Sequence, residues 1–165
     1  MADELVDFDA RSSNVVLTTQ EYSGLAARIA KRRPLPSTPG ATGLEYLVFS
    51  DETRVAVINH QWAAASAKWP EIDLAKYIAT VNPDNPLEKK IGATTSYARG
   101  SADGRLTLFS MQDGGEGMAC VAYDIKAGTE RLTGFMCVPG TAELSPADAT
   151  RMVNGLGITG VLPPG

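Results

Sequence analysis

The sequence predicts an α+β fold, a single antiparallel sheet of five to six strands with helices packed on it. Three observations predict it. Residues 91–138 read as four consecutive strands, residues 44–50 and 54–59 read as an earlier pair, and helix-start signals stand at Thr18, Pro70 and Ser145. The order is then two strands, helices, and a four-strand meander. Strands outnumber crossovers, so neighbours run antiparallel.

Residues 1–17 show no clear period, and Val15-Val-Leu17 is either a short strand or the lead-in to a helix. Thr18-Thr-Gln-Glu21 has capping-box spacing, in which a hydroxyl and a carboxylate satisfy the free amides of a helix start. Behind it Tyr22, Leu25, Ala26 and Ile29 fall at i, i+3, i+4 and i+7, predicting a helix that Pro34 ends. The proline-rich residues 33–40 are a stiff connector. The strands at 44–50 and 54–59 are apolar on both faces and belong in the centre of the sheet, joined by Asp51-Glu-Thr53. Alanine-rich residues 60–68 favour a helix capped by Asn59. Pro70 opens another, with Leu74, Tyr77, Ile78 and Val81 as its apolar stripe and residues 82–86 as its stop.

In the meander, Asp103-Gly104 suits a two-residue turn, because Gly accepts positive φ freely and Asp tolerates it. It would join strands at 94–99 and 105–111. Asp113-Gly-Gly-Glu-Gly117 breaks the next pair, and Gly128-Thr129 turns the strand at 118–126 into that at 131–138. That last loop fixes a register in which paired residue numbers sum to 257. Val121, Tyr123, Ile125, Leu132 and Met136 then share an apolar face, while Ala122, Asp124, Lys126, Arg131, Thr133 and Phe135 share the other. On this pattern Val121→Asp unfolds the domain and Ala122→Asp is milder. Cys120 falls opposite Cys137 at a non-hydrogen-bonded pair, either as a disulfide or as two thiols in contact. Finally, Ser145-Pro-Ala-Asp148 supplies cap, N1 proline and first-turn acid for a last helix that Gly155 closes. The whole chain, 1–165, reads as one α+β domain with terminal arms at 1–17 and 157–165. The element order resembles that of PAS-type sensors and profilin-like domains, a likeness of order alone that implies no activity.

Composition narrows the function. Hydrophobic residues make up 44% and charged residues 21%, so the chain can bury a core. A net charge of −4 argues against a nucleic-acid partner, since the basic face such binding needs is missing. No apolar run is long enough for membrane insertion and no signal-peptide pattern is present. The cytoplasm is therefore the default location, with export implied if Cys120 and Cys137 are oxidised.

His60, the one histidine, is expected at a strand-to-helix junction, where it is either a polar cap or a catalytic base. Catalysis would need a nucleophile and an orienting acid beside it, and Ser66, Ser110 and Asp51 are the candidates. His60 with Cys120 and Cys137 lacks the spacing of a zinc site, and residues 113–117 lack the ladder of a calcium loop. No phosphate-binding motif occurs, and no cofactor is expected. Trp62, Trp69, Tyr77 and Tyr97, together with His60, are the candidate ligand-binding residues if the central helices cross the sheet and leave a pocket; otherwise they are core. The expectation is a non-enzymatic domain that binds a small molecule or a protein partner. The alternatives are a small hydrolase or transferase using His60, and a purely structural subunit.

Overall fold

The computed structural model describes residues 4–37, 40–65, 68–81, 88–113 and 116–165. The protein is mostly β, with 52% of the described residues in strands and 14% helical, which overturns the α+β expectation. Ten strands and two α-helices occur among the described residues: β1 (Val6–Asp7), β2 (Val15–Leu17), β3 (Ala27–Arg33), β4 (Gly43–Ser50), β5 (Val55–Trp62), α1 (Leu74–Ala79), β6 (Glu88–Arg99), β7 (Ala102–Asp113), β8 (Glu116–Ala127), β9 (Glu130–Pro139), α2 (Pro146–Asn154) and β10 (Leu156–Ile158). Eight form one antiparallel sheet in the order β1-β3-β4-β5-β9-β8-β7-β6. The expected sheet of five to six strands is therefore too small. The PAS- and profilin-like element order goes with it.

Two expected helices give way, wholly or in part, to strand. The first, from Thr18, is a short 3-10 turn, Gln20–Tyr22, followed by β3. Thr18 and Thr19 do not cap their own segment. Their hydroxyls donate to the carbonyls of Gly155 (3.1 Å) and Met152 (2.6 Å) at the end of α2. Gly24, at φ 80°, breaks the helical path, and Tyr22 is drawn into the core, where its hydroxyl donates to the carbonyls of Val55 and Cys137. Tertiary pairing with β4 outweighs the local helical period. The second, expected over 60–68, fails because β5 runs on to Trp62 with His60 inside it. The third survives as α1, but Asp73 rather than the Pro70 region caps it, through Asp73 accepting from the Lys76 amide. Residues 82–86 lie outside the described residues.

The meander of β6 to β9 is present with longer strands than expected. Its first turn is displaced. Arg99 pairs with Ala102 across Gly100-Ser101, with Gly100 at φ 58°, while Asp103 and Gly104 lie inside β7. Gly104 is needed there for space, since a Cβ would stand 2.0 Å from the Asp124 carbonyl oxygen. The β8–β9 register is the one expected, every pair from Met118↔Pro139 to Ala127↔Glu130 summing to 257. Cys120 and Cys137 form a disulfide across it, Cα atoms 4.2 Å apart.

Both faces of the sheet are covered. One carries α2, Tyr22 and the small β10-β2 sheet over Leu47, Ile58, Tyr123, Leu132 and Met136. The expected arms at 1–17 and 157–165 thus meet and bury Leu156, Ile158 and Leu162. The opposite face carries α1 over Phe109, Cys120, Ala122, Phe135 and Cys137. Ala122 and Val121 are both fully buried, so the lighter effect expected of Ala122→Asp is withdrawn. The Lys126–Arg131 opposition is relieved sideways, because Arg131 turns to Asp124 with two hydrogen bonds of 2.7 and 2.9 Å. No helix among the described residues is long and apolar enough to cross a membrane.

Candidate functional site

His60 points to the face under α2 and β10-β2, and it is 2% exposed. Its Nδ1 meets Glu45 Oε2 at 3.3 Å from β4, and its Nε2 meets Glu130 Oε1 at 2.8 Å from β9. Ser13 donates to Glu45 Oε2 at 2.6 Å, and Arg32 donates twice to Glu45 Oε1, at 3.0 and 2.6 Å. Burial alone would raise the Glu45 carboxyl, but hydrogen bonds from His60, Ser13 and Arg32 prevail and bring it to about 2. Trp62 lies against the imidazole with centroids 5.1 Å apart, in space that Gly43 leaves by having no Cβ. A polar cavity of about 490 Å³ opens beside Trp62, Glu130 and Arg32.

Both ring nitrogens of His60 are engaged by carboxylates, and neither meets a nucleophile among the described residues. Ser13, the nearest hydroxyl in the network, bonds Glu45 rather than the ring. Asp51 is tied to Arg54, and Ser66 lies outside the described residues. Cys120 and Cys137 are consumed by their disulfide on the other face, which leaves no thiolate for a metal. The residues that the sequence reading missed are Glu45, Glu130, Ser13 and Arg32. A glutamate within the apolar run Leu44-Glu-Tyr-Leu-Val-Phe49 was the available signal, since a charge buried in a central strand needs a partner.

The other aromatic candidates scatter. Trp69 sits at the β8–β9 turn, its indole N–H donating to the Gly128 carbonyl at 3.2 Å, with Arg131 over its ring. Tyr97 is buried under α2, its hydroxyl donating to Asn154 Oδ1 at 2.6 Å. Tyr77 alone reaches a second cavity.

That cavity is a groove of about 660 Å³ between α1 and the sheet. Its floor is Val48, Val57 and Phe135, side by side on β4, β5 and β9, with Met111 and Met118 beyond. Tyr77, Thr80 and Val81 form the helical wall. The β4–β5 hairpin closes one end, where Arg54 and Asp51 form an ion pair, and Tyr46 and Asn59 stand at the other. Tyr22, Tyr97 and Tyr123 spend their hydroxyls on protein acceptors; among the described residues Tyr46 and Tyr77 have none. Burial, with the neighbouring Tyr46 second, pushes the Tyr77 hydroxyl up to about 12, so it stays protonated and able to donate. A third hollow, about 720 Å³, lies along the β1–β3 edge beside the exposed Asp9–Arg11 pair. Phe8, Leu25, Ala30 and Phe49 give it an apolar lining as well, but no tyrosine lines it.

Comparison of the chain with protein-family models, with curated proteins and with solved structures finds no match.

Proposed function

We propose that this protein is a ligand-binding domain without catalytic chemistry, and that its site is the groove between α1 and the sheet. The observation that carries this is the pairing of a continuous apolar floor with two tyrosine hydroxyls that have no partner among the described residues. Small-molecule sites have this character: a concave volume of roughly 300–1,000 Å³, mostly apolar, with a few placed polar groups to orient the ligand. The reading of His60 as a hydrolytic base loses its support because that ring is held by two glutamates.

The test uses N-phenyl-1-naphthylamine, an uncharged apolar fluorophore. It should gain emission with the wild type and lose that gain with Thr80→Trp. Thr80 is exposed at the groove's rim, so the larger side chain narrows the mouth with little effect on the thermal midpoint. No gain with the folded wild type, or equal gain with Thr80→Trp, contradicts the assignment.

A further inference from the structure

The groove is chemically asymmetric along its length. From Tyr46 to Ser50 is four residues of β4, about 13 Å at the rise of a strand. Over that span the floor passes from the hydroxyl-bearing end to Val48 and on to the hairpin. The hairpin end offers no free cation, because Arg54 is bound to Asp51 and the remaining charge there is that of Glu52. The other end is open. Lys31 of β3 is the direct register partner of Tyr46, and directly opposite residues have side chains on the same face. Lys31 is exposed and makes no ion pair among the described residues, although Asp7 of β1 is its register partner on the other side. Arg33, two residues along the same face, adds a second cation there. Hence the Tyr46 end of the groove carries a cationic excess, and the opposite end offers none to a ligand.

We propose that the groove's ligand is an amphiphile with a carboxylate head, its chain on Val48, Val57 and Phe135 and its carboxylate between the Tyr46 and Tyr77 hydroxyls, with Lys31 alongside. This rests on the groove being the binding site. Hydroxyl donors and an ammonium group recognise a carboxylate through charge-assisted hydrogen bonds, whereas the positive charge of Lys31 repels a quaternary ammonium head. The chain then replaces water over the apolar floor.

The experiment displaces N-phenyl-1-naphthylamine from the purified full chain with dodecanoate or with dodecyltrimethylammonium, both below micelle formation. Dodecanoate should displace the dye at a concentration about tenfold lower, the worth of one charge-assisted hydrogen bond. In Tyr46→Phe/Tyr77→Phe, and separately in the exposed Lys31→Glu, that ratio should collapse toward unity, with thermal midpoints confirming the fold. Equal displacement by the two heads in the wild type overturns the carboxylate proposal and leaves the groove assignment standing. A preference that persists in both variants overturns the placement of the head. No dye binding at all removes the groove reading and the proposal with it.

Discussion

At the scale of single residues, the molecule's most consequential contacts are those of Glu45, which holds together β3, β4, β5 and the chain at Ser13. Its carboxyl is depressed from the ordinary 4.5 to about 2 in the folded state. A depressed folded value contributes stability that is present above the unfolded pKa and lost as pH falls through the folded one. The loss should run between about pH 4.5 and 2, on the order of 3 kcal/mol. Glu21, held down by Arg151, adds to it in the same direction. Urea titrations across that window should show the gap between wild type and Glu45→Gln closing as pH falls. A constant gap would mean that the network does not hold Glu45 ionised. His60 gives a second expectation. A polar cap at a junction would tolerate alanine, and that was the natural reading of a histidine next to an alanine-rich run. Inside β5, His60→Ala instead leaves two buried glutamates without their shared partner. Removing one member of a buried ion network costs about 3–5 kcal/mol. A thermal midpoint unchanged by this variant would contradict the buried position.

At the scale of elements, the β8–β9 hairpin was legible because one glycine fixed it. Gly128 sits at positive φ in a two-residue loop, the loop sets the register, and the register brings Cys120 to Cys137. The β6–β7 turn was misplaced because the sequence offers two glycines close together, Gly100 and Gly104. Only the packed structure distinguishes them. Gly100 supplies the turn, whereas Gly104 admits the Asp124 carbonyl. Gly134 plays the same part in β9. A Cβ there would stand 1.9 Å from the Val57 carbonyl oxygen and 2.5 Å from the Tyr123 hydroxyl, which itself donates to that carbonyl. Gly134→Ala therefore forces β5 and β9 apart and breaks that buried bond. It should cost about 2 kcal/mol or more, the range of overpacking with a lost hydrogen bond. Gly128→Ala, with open space around it, should cost only the roughly 1 kcal/mol of a strained backbone. Denaturant midpoints for the two variants check the order, and equal effects would contradict the close approach.

At the scale of the whole molecule, β strands displaced helices wherever a short periodic stretch could be satisfied by two elements instead of one. Tyr22 and Leu25 pack toward one core, while Ile29, which completes their helical stripe on paper, lines the groove on the opposite face. No local pattern distinguishes these cases, because the choice is made by β4, which offers β3 an edge to pair with. The same holds for the site. Tyr77 was legible as an aromatic on an amphipathic helix, but the groove floor is assembled from three strands that are neighbours only in the folded sheet. On the proposed function, the groove under α1 takes the ligand and the cavity beside His60 does not. Backbone amide chemical-shift mapping on the ¹⁵N-labelled full chain during titration with N-phenyl-1-naphthylamine tests it most directly. The shifts should gather at Val48, Val57, Tyr77, Val81 and Phe135 and leave Glu45, His60, Trp62 and Thr129 unmoved. Shifts centred on the His60 cavity, or none at saturating dye, would contradict the account.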